Sequence, residues 1–352
     1  MRKLFSVFIL LQTLLAMAQP TAHPLEAGQT AEGLVYFLPK TVFHFHVRVE
    51  RMVYQPGEFS KYAEKYLRLA DIQQDEETIH NIIGIDITQS GIRDTSKCYV
   101  VNIKGGKWQT AAVSLSDDGV LLAINDAPLQ AQPHQPFKAA PQLARTDPHR
   151  FLSAEVFAAG STAKMAELTA AQMQELQQRR QQLIMGDDDE QPNDERQLRL
   201  LLTEIDREYD ALLTLFTGTI SRDTTEHTLT VCPEQEIKND VLFRLSKQRG
   251  LVDRDDYSGV PYYLTVEDPY KTNQEKYPTP VSKKNDGLYV SVPGFIRLIL
   301  HRDDTPLATF QVAAAQFGFV AMRDGSLFRH HVTHLLLNPI TGAVERMTVE
   351  GK

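Results

Sequence analysis

The sequence predicts an α+β protein: two antiparallel β-rich domains, sandwich-like, connected by a long antiparallel helical hairpin. Three observations lead there. Short alternating or apolar runs separated by turn residues fill residues 31–126 and again 219–352. Between them, in 161–218, apolar residues recur every three or four positions along two long segments. Pro128, Pro133, Pro136, Pro141 and Pro148 break up residues 127–160, as expected of a linker at a domain boundary.

The opening residues read as a secretory signal peptide. Arg2 and Lys3 precede an uncharged run from Leu4 to Leu15, followed by the small-x-small site Ala16-Met17-Ala18. Residues 1–18 are therefore expected to be removed after Ala18, leaving a mature chain from Gln19 in the periplasm or associated with the outer membrane. Losing Arg2 and Lys3 takes the formal net charge from -8 to -10. That balance, without a cluster of Lys and Arg, speaks against nucleic acid as a partner. No later run is long and apolar enough for a transmembrane anchor in the mature chain.

In the N-terminal β-rich domain "VFHFHVRV" alternates strictly, while "YVVNI", "AAVSL" and "VLLAIN" are short apolar runs. "KGGK" and "SDDG" between them supply the positive φ of tight hairpin turns. One helix is expected in "GEFSKYAEKYLRLA", where Phe59, Tyr62, Tyr66 and Leu69 follow helical spacing.

The hairpin segments are "STAKMAELTAAQMQELQQRRQQLIMG" and "PNDERQLRLLLTEIDREYDALLTLFTG". Gly186 and Gly218 stand where C-caps belong, and Asp194 and Glu195 suit a helix N-terminus. Leu198, Leu202, Ile205, Tyr209, Leu212 and Phe216 form a heptad seam, which points to a coiled-coil-like pair. Apolar directions widen toward Phe216, whereas Asp187, Asp188, Asp189 and Glu190 mark the other end as a charged tip. The second β-rich domain carries strand-like runs from "HTLTV" to "HLLLN", turns at "RDGS" and "NPITG", and a short helix expected in "IKNDVLFRLSKQRGLV".

Candidate chemistry is sparse. His44 and His46 share one strand face and could in principle ligate a metal. Their face continues into Arg48 and Glu50, so it reads as solvated, opposite the apolar Phe43, Phe45, Val47 and Val49. On a strand, His330 and His334 share a face that His331 does not, and the Glu of a zinc-protease helix is missing. The acidic turn from Gly186 to Asp194 lacks the ligand spacing of a calcium loop. No activated-serine elbow, reactive-cysteine motif or phosphate-binding glycine loop occurs; "IKGGK" is a hairpin turn. Cys98 and Cys232 are the only cysteines. Whether they form a disulfide stays open.

Several stretches together, "GLVYFLPKT", "YQPGEFSKYAEKYL", "GVLLAIN", "RRQQLIMGD", "LLTLFTG", "AAQFGFVAM" and "NPITGAVERM", resemble domain of unknown function family 4831, exported proteins of the Bacteroides group. The resemblance covers nearly the whole mature chain. It implies an envelope location and the same three-part layout, and it supplies no catalytic residues. It also leads one to expect Gly after "YL"; this chain has Arg68, which puts a turn in doubt.

The reading that results is an uncharacterised exported envelope protein that binds or helps assemble another component, leaning away from an enzyme. No catalytic, cofactor-binding or metal residue is assigned, and no cofactor. The expected partner is another envelope protein or a surface polymer. The alternative is a hydrolase or glycan-binding protein with dispersed carboxylates in a cleft between the β domains.

Overall fold

A computed structural model describes residues 34–101, 112–130, 134–141, 145–185, 194–271, 287–325, 327–328 and 331–350. The expected leader, "KGGK" and most of the acidic turn lie outside these. The chain is β-rich, with several antiparallel sheets.

Strand β1 (Leu34–Gln55) carries the strict alternation seen in the sequence. It sends Phe43, Phe45, Val47 and Val49 to one face, none more than 2% exposed. Strand β2 (Glu77–Val101) runs antiparallel along one side of β1, and β5 (Thr219–Val231) along the other, giving the order β2-β1-β5. The register between β1 and β2 shifts at Phe37/Pro39, where proline has no N–H for the ladder.

A second sheet comprises β6 (Ile237–Ser246), β7 (Gly250–Val252), β8 (Val260–Glu267), β9 (Leu288–Arg302) and β10 (Thr305–Arg323), in the order β10-β9-β8-β6-β7. A third comprises β3 (Val113–Leu115), β4 (Leu121–Ile124), β11 (Val332–Leu337) and β12 (Val344–Glu350), in the order β12-β11-β4-β3. The helix expected in "IKNDVLFRLSKQRGLV" is instead β6, a turn and β7. Its apolar run is short enough to fit either state, and pairing with β8 decides for strand.

The apolar face of β1 packs on strands from the far end of the chain. Phe43 and Phe45 lie with Leu264, Ile296, Leu298 and Phe317; Val47 and Val49 lie with Phe243, Tyr262 and Leu300. Tyr36 and Leu38 join Ile124, Val290, Phe328 and Leu335 in another core. The β-rich regions 31–126 and 219–352 therefore share their cores, because β1 supplies apolar residues to both. Thr41 marks a crossing point: it exchanges backbone hydrogen bonds with the Gln316 amide at 3.0 and 2.9 Å, and its hydroxyl accepts from Ala315 N at 3.0 Å.

The helical part contains α1 (Ala63–Leu67), α2 (Ala154–Phe157), α3 (Thr162–Met185) and α4 (Glu195–Thr217). The single helix expected over "GEFSKYAEKYLRLA" is shorter than its periodicity suggested: a 3-10 turn at Ser60–Tyr62 followed by α1. Arg68 ends α1 in the left-handed region, φ 58°, so the turn survives without glycine, at a steric cost of about 1–2 kcal/mol. Asp194 caps α4, accepting from Arg196 N, and Gly218 follows its last turn with φ 78°. Phe59 N donates to the Leu215 carbonyl at 2.7 Å, satisfying one of the carbonyls that a helix end leaves open. Gly57 allows that approach, since a Cβ there would lie 2.3 Å from Leu215 O. Along the seam of α4, Leu198 is half-buried while Leu212 and Phe216 are fully buried with Phe59, Val156 and Met173.

Candidate functional site

The polar face of β1 is built by cross-strand pairing. His44 stands opposite Thr88 and Thr230, His46 opposite Asp86 and Thr228, and Arg48 opposite Gly84 and Glu226. Directly paired residues share a face, so these eight side chains, with Gly84 leaving a gap among them, form one polar surface. His44 is half-buried, with Nδ1 3.0 Å from Thr230 Oγ1 and Nε2 2.8 Å from Ser90 Oγ. His46 is only 3% exposed; its Nε2 lies 2.7 Å from Thr88 Oγ1 and its Nδ1 3.1 Å from Thr228 Oγ1.

The expectation of a solvated histidine face is therefore corrected at His46. Part of the Pro-rich segment, residues 134–141, lies across it. The His134 ring stacks on His46 with centroids 3.6 Å apart, and Phe137 lies against the Arg48 guanidinium, 5.6 Å from its ring centre. His134 Nε2 is 3.1 Å from Glu226 Oε1, which also accepts from Phe137 N at 3.4 Å. His46 Nδ1 lies 3.9 Å from the same carboxylate oxygen. Burial holds the His46 imidazole below its ordinary value, and the neighbouring His134 acts in the same direction. The hydrogen bond with His134 holds the Glu226 carboxyl below the usual carboxylate range.

Arg48 pairs with Asp86 at 2.6 Å, but its Nε is buried without a partner among the described residues. Gly84 makes room for it: a Cβ there would lie 2.7 Å from the guanidinium. Sequence reasoning found His44 and His46 and missed His134 and Glu226. The signal available was a histidine and a phenylalanine inside an otherwise polar, proline-rich stretch, and nothing local says which strand they cover.

The other residues weighed in the sequence do not converge. His334 lies on β11, held by the Asn125 carbonyl and by Glu350 at 3.1 Å. His331 precedes that strand, and His330 is outside the described residues. Cys98 and Cys232 are free thiols, each partly buried.

A groove of about 1030 Å³ lies where α4, the end of β1 and residues 145–149 meet. Glu58, Asp147, His149, Asp206 and Asp210 line it, and among the described residues its lining includes no Phe, Tyr or Trp. His149 bonds Asp147 through Nδ1 at 3.0 Å and Glu58 through Nε2 at 3.2 Å, and these carboxylates, Asp147 first, raise its pKa.

These features define a β-rich protein of several antiparallel sheets whose central strand has one dry apolar face and one polar face covered by an irregular segment. The family model described as Domain of unknown function (DUF4831) matches residues 32–345, so the chain belongs to that family. No curated protein and no solved structure matches the chain. Among the described residues no helix is long and apolar enough to cross a membrane.

Proposed function

We propose that this is an exported, non-enzymatic envelope protein that binds another envelope component through the far end of α3 and the start of α4. The observation that carries this reading is the distribution of apolar surface. Near Phe216 the helices are fixed in a core, whereas at the other end Ile184, Met185 and Leu200 are 56, 73 and 62% exposed. Large apolar side chains left in water at the end of an anchored helix pair suit a protein contact better than they suit solvent. The pair would act as a hairpin arm, its helices joined side by side by Arg180–Asp206 at 2.7 Å and Gln172–Glu208 at 3.1 Å. The leader-like pattern of Arg2, Lys3, Leu4–Leu15 and Ala18 supports export.

The competing reading, a hydrolase or glycan-binding protein with a site between β domains, draws on the carboxylates around the 1030 Å³ groove. That groove sits against α4, and its described lining offers no aromatic ring for a sugar to stack on. The experiment is site-specific photo-crosslinking in the native host, with the reactive side chain at Leu200 or, as control, at Tyr257, which is 84% exposed and far from α4 in sequence. One defined adduct is expected from Leu200 and none from Tyr257, with mass spectrometry placing the N-terminus of the adduct at Gln19. No adduct at Leu200, the same adduct from both positions, or an intact Met1 would overturn the proposal.

A further inference from the structure

We propose that His46, His134 and Glu226 form a binding site for a divalent transition-metal ion of the Zn²⁺ class, which fastens the 134–141 segment onto the polar face of β1. Among the described residues they make one group of potential metal ligands, with one donor atom from each lying within 4.8 Å of the others. The three come from separate parts of the chain: β1, the Pro-rich segment and β5. The site exists only when those elements are folded together, as is expected of a built coordination site.

The chemistry of the donors fits. Two imidazoles and one carboxylate are a common zinc set, with a fourth position left for water. At metal–ligand distances of about 2.0–2.1 Å, tetrahedral ligand atoms stand about 3.3 Å apart. His134 Nε2 and Glu226 Oε1 are already 3.1 Å apart, and His46 Nδ1 is 3.9 Å from that oxygen. For all three donors to reach one ion the His46–Glu226 separation must shorten by about 0.6 Å, and His134, whose ring lies parallel to that of His46, must turn out of its stack. It can, because its side chain is about one third exposed and sits on a segment without helix or strand.

Two further observations concern the surroundings. The Nε2 of His46 is held at 2.7 Å by the Thr88 hydroxyl, and Nδ1, on the Glu226 side, is 3.1 Å from the Thr228 hydroxyl, a contact that it must give up to bind an ion. Metal-bound histidines are oriented in this way, through a hydrogen bond to the nitrogen that does not bind. The Arg48 guanidinium, two residues along β1 from His46, is paired with Asp86, which lessens its repulsion of an ion. This inference does not depend on the helical arm; it concerns the opposite part of β1 and survives if the arm binds nothing.

The test uses the full mature chain made without a histidine tag, stripped with a chelator and titrated with Zn²⁺ by calorimetry and with Co²⁺ by visible absorption. One equivalent of Zn²⁺ should bind, with tetrahedral Co²⁺ bands. His134→Ala and Glu226→Gln should each weaken binding by more than ~100-fold, a larger loss than second-shell changes cause. His44→Ala, on the same face, should leave it intact. His134 is outside every sheet, so its variant keeps the fold, which the circular dichroism melt of the stripped protein checks. Zn²⁺ should also slow tryptic cleavage at Lys138 in the wild-type protein and not in the His134→Ala variant. Absence of stoichiometric binding, or binding that ignores both substitutions, would overturn the site.

Discussion

The two faces of β1 are both largely shut off from water, yet by different means. Phe43, Phe45, Val47 and Val49 are covered by the apolar residues of the five-stranded sheet. His44, His46 and Arg48 are covered by cross-strand Thr and Asp side chains and by a segment without regular structure that places His134 and Phe137 over them. The first kind of burial contributes through area removed from water. The second contributes little net energy per hydrogen bond but leaves donors and acceptors stranded if its cover is lost. A strand can thus be amphipathic in sequence and buried on both faces in the folded chain.

The contrast can be broken most severely on the apolar face. Phe45→Ala removes a fully buried ring edge-on to Phe310, and should cost about 3–5 kcal/mol in urea unfolding. A loss below ~1 kcal/mol would mean that this core is loosely packed.

On the other face, the two histidines should separate. His46→Thr should cost about 1–2 kcal/mol, since it strands two hydroxyl partners and the stack with His134 in a buried place. His44→Thr, half-buried, should stay within about 1 kcal/mol. Equal costs in the same unfolding measurement would show that the 134–141 segment does not seal the face.

The smallest effect concerns the far end of the same Pro-rich stretch, where His149 bonds Asp147 and Glu58. Its pKa is raised in the folded chain, so folding favours the protonated form. The contribution is fully present below the unfolded value of about 6.5 and is lost as pH rises through the higher folded value. The melting temperature of wild type relative to His149→Gln should therefore fall between mildly acidic and mildly alkaline pH. A difference that grows with pH would reverse the assignment.

What the sequence made legible follows the range of the interaction. The alternation from Val42 to Val49 identified β1 and its apolar face, and Asp194 and Gly218 stand at the two ends of α4 as their chemistry suggests. Where one short apolar run fits both states, as at Val241-Leu242-Phe243, the helix expected became strand through pairing with β8. The site was half legible. His44 and His46 announce themselves two residues apart, but Glu226 joins them only through the β1–β5 register. His134 joins through a segment with no periodicity. The two β-rich stretches read as separate domains because composition shows where strands are and not which core each one enters.

The position of β1 also governs when the chain can become native. Tyr36 exchanges hydrogen bonds with Tyr289, 253 residues away, and Thr41 with Gln316, 275 residues away. Each core that β1 enters waits for strands beyond residue 236, and one waits for Leu335 and Leu337. Such distant pairing makes for slow folding, because loop-closure entropy is lost before contacts repay it. A polypeptide emerging N-terminus first could pair β1 with β2 early, but would leave the apolar face of β1 uncovered until the strands beyond residue 236 had appeared. A chain of this design commits to its native state late and as a whole.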